Sequence, residues 1–93
     1  MAQLHGTIHH IGDTQKVSDK FKKREFIVIT EQSTPYPQYI KLEFTQEKCD
    51  LLDKYFEGMD VSVDYNLRGN LHPRDQKVAF NTLQAWKIER VNG

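Results

Sequence analysis

At 93 residues, with 38% apolar, 28% charged and 11% aromatic side chains, the chain has a globular composition and room for one domain, residues 1–93. No apolar run approaches the roughly 18 residues that cross a bilayer, no basic stretch followed by an apolar core opens the chain, and the single cysteine, Cys49, has no partner for an internal disulfide; a membrane span, a signal peptide and a disulfide-stapled scaffold are not expected, and the protein is read as cytoplasmic. Formal net charge is zero, which weighs against a uniformly basic nucleic-acid binder, yet residues 16–24 set five cations against one aspartate and residues 42–66 set seven carboxylates against two lysines.

Period-two alternation dominates and reads as strands. A first strand covers residues 4–11, with Gly6 marking a bend or bulge. Residues 25–30 are β-branched and aromatic, a second strand with one face in the core and the other partly covered. Thr34-Pro35-Tyr36-Pro37 is a turn or extended entry. In the third strand Ile40, Leu42 and Phe44 alternate with Tyr39, Lys41 and Glu43. Thr45 is placed as a helix N-cap, with Gln46 and Glu47 in the first turn. Lys48, Leu51, Leu52, Tyr55 and Phe56 make a stripe at α-helical spacing, and Gly58 is the stop. The fourth strand turns Met59, Val61, Val63, Tyr65 and Leu67 inward and Asp60, Ser62, Asp64, Asn66 and Arg68 outward. Residues 69–77 form a polar loop. The fifth strand covers residues 78–91, with Phe80, Trp86 and Ile88 sharing one side, which favours the core for Trp86. Three strands, a short helix and two strands describe an all-β fold, a five-stranded OB barrel with its helix between strands three and four.

The stretch Pro37-Gln38-Tyr39-Ile40-Lys41-Leu42-Glu43-Phe44, the helix, and residues 58–69 ending in Leu67-Arg68-Gly69 resemble the second half of bacterial single-stranded-DNA-binding proteins. The chain as a whole is similar to a small bacterial family of uncharacterised OB-type domains, through residues 17–26 and Asn81-Thr82-Leu83-Gln84-Ala85-Trp86. That resemblance implies the fold more than an activity. Two features depart from the DNA-binding proteins. Their long acidic, glycine-rich C-terminal tail is not seen before Gly93, and residues 69–77 lack the aromatic found there in many relatives.

An OB barrel binds oligonucleotides or oligosaccharides through its long loops, and single-stranded nucleic acid requires cations along its phosphates and aromatic faces beneath its bases. Lys16, Lys20, Lys22, Lys23 and Arg24 around Phe21 meet both needs; the alternative is a solvated hairpin whose phenylalanine tucks into the core. Tyr39 and Lys41 lie outward on the third strand, either for stacking or as ordinary surface. Asn66 and Arg68 lead into the second loop, where Arg74 and Lys77 add charge and His72 switchable charge. Trp86 is a stacking candidate or core; Tyr36 is a platform or an interface residue. His9 and His10, as strand neighbours, point to opposite faces, and His5 and His9 stand about 13 Å apart at about 3.3 Å per residue, so no metal is expected. No phosphate loop, nucleophile elbow or zinc motif is present, and neither an enzyme nor a cofactor is expected.

The reading is therefore a binding module for single-stranded DNA, with RNA as a variant, and little sequence preference. A protein-interaction or assembly module on the same barrel is the alternative, favoured by the zero net charge and acidic middle. An oligosaccharide or small-ligand binder is a weaker third reading. A small core that gains from being covered points to a homo-oligomer, a dimer or tetramer.

Overall fold

The computed structural model describes residues 2–91; Met1, Asn92 and Gly93, at the ends of the span read as one domain, lie outside the described residues. Five strands, β1 (Ala2–Ser18), β2 (Phe21–Thr30), β3 (Gln38–Thr45), β4 (Asp60–Leu71) and β5 (Ala79–Arg90), close into a barrel in the order β1-β2-β3-β5-β4. All neighbours are antiparallel except β3 and β5, which meet in parallel at Glu43 and Gln84. A helix, Gln46–Lys54, joins β3 to β4. This is the OB barrel expected from the element order.

Closure depends on β1 serving two partners in succession. Residues 2–7 pair with β4, and from Thr7 onward the strand pairs with β2, so Thr7 stands opposite both Asp60 and Ile29. At this corner Gly6 lies against β2: a Cβ there would overlap the Ile29 carbonyl oxygen and approach Val28 Cγ1 to 2.6 Å. The alternation then delivers the core. Ile8, Phe26, Val28, Leu42, Phe44, Val61 and Val63 are buried, with the Phe26 and Phe44 rings stacked at 5.4 Å.

The helix has 3-10 geometry, not the α-helical stripe read from the sequence. In a 3-10 helix residues three apart share a face. Cys49 and Leu52 are buried and Tyr55, just past the helix, is half-buried, while Leu51 and Phe56 are exposed. Tyr55 extends this three-residue repeat and donates its hydroxyl to the Ile88 carbonyl (3.2 Å). Thr45 occupies the N-cap position but makes no side-chain cap bond; its hydroxyl oxygen accepts from Gln84 Nε2 (3.4 Å). Gly58 falls beyond the C-cap, at φ +96°, where the left-handed turn into β4 suits glycine and its N–H donates to the Ile8 carbonyl (2.9 Å).

Both long connections are hairpins more than loops. β1 runs to Ser18 and β2 starts at Phe21, and β4 and β5 stay paired out to Leu71 and Ala79. These arms project past the barrel and give a Cα radius of gyration of 14.2 Å, against about 12 Å for a compact chain of this length. Leu67, read as inward, is therefore 70% exposed: it keeps the inward side of its strand but lies on the arm, beyond the core. Trp86 also departs from its expected parity. The β4–β5 register slips between Asp64 and Tyr65, which face Lys87 and Ala85, so Trp86 is the extra residue of a bulge. Ala85 and Ile88 remain buried, Phe80 is exposed, and Trp86 is half-buried.

Replacing Gly6 with alanine should cost about 3 kcal/mol in urea unfolding, because the overlap is with backbone that cannot swing aside; an unchanged midpoint would mean that the corner has slack.

Candidate nucleic-acid interface

In the β1–β2 arm, Lys16 stands opposite Lys22, Gln15 opposite Lys23 and Thr14 opposite Arg24, with Asp19 and Lys20 forming the turn. Directly opposed residues share a face and neighbours alternate. Lys16, Lys22 and Arg24 therefore fall on one side, toward the helix, and Lys23 on the other, continuous with the outer face of β2 and β3. The five cations of the sequence do not form one patch. Phe21 does not tuck into the core: 37% exposed, it lines an open hollow of about 410 Å3 with Lys16, Lys22, Gln46 and Glu47.

Arg24 is committed elsewhere. Its side chain is 16% exposed; Nε donates to the Gly12 carbonyl (2.8 Å), and Nη1 donates to the Cys49 carbonyl (3.2 Å) and pairs with Asp53 (2.7 Å). It fastens the base of the arm to the helix through Nε and Nη1, which are engaged by protein acceptors. The Lys16–Asp19 pair, at 4.0 Å between exposed groups, is weak enough to release Lys16. Lys20 and Lys22 take part in no ion pair among the described residues. Burial pushes the Cys49 thiol up, opposed by the nearby Lys22 and Arg24 charges, so it has little thiolate character.

On the outer face of β2 and β3, Tyr39 stands opposite Ile29, Lys41 opposite Ile27, and Glu43 opposite Glu25. Tyr39 is 59% exposed, and the His9 ring meets it edge-on at 5.1 Å. His9 is the extra residue of a second bulge, where β1 slips register against β2 between Ile8 and His10. Strict alternation across His9 and His10 therefore does not hold. His10 lies near Glu57 (3.5 Å), and no metal-holding group of three or more side chains occurs among the described residues. Lys23 and Lys41 both approach Glu25, at 3.8 and 3.5 Å, so the face is close to neutral.

A groove of about 290 Å3 separates this face from the β4–β5 arm; Lys23, Lys41 and Glu43 line one side and Phe80 and Thr82 the other. Arg68 stands opposite Thr82 and Asn66 opposite Gln84, on the side of the arm that carries Phe80. Arg68 is exposed and Asn66 half-buried. Arg74 and Lys77 lie at the exposed tip, Lys77 inside and Arg74 just before a turn closed by Val78 N–H to the Asp75 carbonyl (3.0 Å). Phe80, 56% exposed and 5.8 Å from His72, is an exposed aromatic at the start of β5, just past residues 69–77. The strand alternation places Phe80 inward and gives no sign that His9 meets Tyr39; the structure has Phe80 exposed and the two rings edge-on. The signal for Phe80 is its even spacing from Thr82 and Gln84, legible once the arm is known to be paired. Trp86 lies apart: with Ala2, Gln3 and Asp64 it borders a separate hollow, which shares no residue with the other two. Its Nε1 is buried and has no partner among the described residues. Tyr36 is exposed in the β2–β3 connection.

Residues 3–89 match the model of a protein family described as a domain of unknown function, DUF3127. The chain belongs to that family. This DUF3127 chain has the fold of a deletion variant of the single-stranded DNA binding protein from Thermus aquaticus, with a TM-score of 0.74 and 17% identity over 98% of this chain and 49% of that one; it thus spans about half of that protein. The dimeric N-terminal domain of PriB from Thermoanaerobacter tencongensis is similar at a TM-score of 0.69 and 17% identity, over 99% and 96% of the two chains. The mitochondrial single-stranded DNA binding protein Rim1 of S. cerevisiae is similar at 0.72 and 15%, over 99% and 95%. No curated protein matches the sequence. No helix among the described residues is long and apolar enough to cross a membrane.

Arg24→Ala should lower stability by about 2 kcal/mol, since it strands two carbonyls and a carboxylate, whereas Lys22→Ala should shift it by less than about 0.5 kcal/mol. Equal effects in urea unfolding would show that Arg24 is another surface cation.

Proposed function

We propose that the chain is a cytoplasmic, non-enzymatic module, one domain over residues 1–93, that binds single-stranded DNA with little sequence preference. The observation that carries this reading is the β1–β2 arm, which offers Lys16, Lys20 and Lys22 around an exposed phenylalanine; Tyr39 stands apart from it, opposite Ile29 on the outer face at the other end of β2. The cations track phosphates while Phe21 and Tyr39 stack bases. Lys41, Lys23 and Phe80 continue the path across the groove, and Asn66, Arg68, Arg74 and Lys77 extend it along the second arm. Arg24 serves the path by holding the first arm, and Trp86 stands off it. The likeness to single-stranded DNA binding proteins supports the fold on which this reading rests.

A second reading concerns assembly. Leu67 and Leu71 are exposed on the inward side of the β4–β5 arm, where the barrel offers nothing to cover them. We infer a homo-oligomer, a dimer or tetramer, that buries this side. A purely monomeric mass in light scattering at tens of micromolar would overturn it.

The functional test is fluorescence anisotropy with a dT oligomer of about 30 nucleotides, at 50 and 200 mM salt. Three phosphate contacts on a single strand predict about a 20-fold loss of affinity between those salts. Lys16→Glu/Lys22→Glu should abolish most binding, and Tyr39→Ala should weaken it about 10-fold, as expected for one lost stacked base. A parallel rU oligomer separates DNA from RNA. No binding at 50 mM salt would rule out the nucleic-acid reading and leave the protein-interaction module.

A further inference from the structure

The tip of the basic arm is held by a side chain from outside the arm. Gln46, the first residue of the helix, has φ +56°, in the left-handed region that residues with a Cβ seldom occupy. No glycine is used there. The amide of Gln46 spans the arm: Nε2 donates to the Lys20 carbonyl (2.9 Å), and Oε1 accepts from the Lys22 backbone N–H (3.2 Å). The two bonds straddle Phe21. A neutral amide can donate and accept at once in this way, through separate atoms. A strained backbone kept at a functional surface is a reason to ask what the strain secures.

The arm needs such a brace. A two-stranded hairpin is marginal by itself in water, and Lys16 opposite Lys22 adds like-charge repulsion across the strands. At the base, Arg24 ties the arm to the helix through Cys49 and Asp53; toward the tip, Gln46 is the tie. We propose that Gln46 is the positioning residue of the interface. It locks the Lys20–Lys22 backbone so that Phe21 and its flanking lysines stand in the binding arrangement before the ligand arrives. This rests on the nucleic-acid reading of the arm. A pre-ordered arm spares the ligand the cost of immobilising it, and Gln46 itself makes no contact with the strand.

Gln46→Gly tests this, because glycine keeps the left-handed backbone without strain while removing the amide. The variant should fold with the far-UV dichroism of the parent. Its Lys22 amide should exchange with deuterium about 10-fold faster or more, and the affinity for the dT oligomer at 50 mM salt should fall about 5-fold. The slope of log Kd against log salt should stay that of the parent, because the phosphate contacts are unchanged, whereas Lys22→Glu should lower it. Parental affinity in a folded variant would overturn the proposal, as would an unchanged Lys22 exchange rate. A lowered salt slope would also overturn it, because lysine–phosphate contacts would then be lost outright and not merely made from a less ordered arm. A parent that fails to bind the oligomer would remove the nucleic-acid reading itself, an outcome distinct from these.

Discussion

The architecture turns on the corner at Gly6 and Thr7, where one strand leaves one partner and takes another. A sheet closes into a barrel when its strands are tilted and staggered so that every strand finds a partner on both sides, and here β1 completes the closure: its first residues pair with β4, and its remaining length pairs with β2. The crossing brings backbone against backbone, which leaves no space for a Cβ at residue 6. Thr7 donates its hydroxyl to Asp60 (2.6 Å), adding a side-chain tie on the β4 side of the same corner. Because β1 is committed at its start, its far end is free to run out beyond the barrel, and that overrun forms half of the basic arm.

The helix then couples the core to the candidate interface. Its inner side, through Leu52 and Cys49, belongs to the buried interior. Its outer atoms reach the arm, through the Cys49 carbonyl and Asp53 to Arg24 and through Gln46 to the turn. Core packing, helix placement and arm position are thus linked in series: a cavity near Leu52 is felt at Phe21 through only a few contacts. Such linkage suits a surface that must be presented in one shape on a small domain.

Much of the fold is legible in the sequence because strand parity is a local signal. Leu42, Phe44, Val61 and Val63 fall inward as their alternation requires, and the helix is placed between the correct strands. What is not legible arises where local period and three-dimensional pairing part. The bulges at His9 and Trp86 each insert one residue, and nothing in the composition of either stretch marks the slip. The arms read as loops in the sequence because polar residues look the same whether or not they are cross-paired. Leu67 keeps its inward parity yet lies in the open, since parity says which side a residue takes and not how far the core extends. Of the candidate site, the residue types around Phe21 were readable, but the division of the five cations between two faces and the employment of Arg24 as a fastener depend on register and on the helix, both long-range. Gln46 carried no signal beyond its place in the first helical turn.

The overrun of β1 has a second consequence. Past Ile8 the strand has β2 on one side and, among the described residues, no strand on the other, so its outer edge is a template on which another extended chain could grow. Such edges invite aggregation unless charge guards them. Lys16 lies on this edge strand and Lys20 at its turn, so any chain adding there must approach fixed positive charge. The lysines proposed for the ligand thus also stand where a charge would guard that edge.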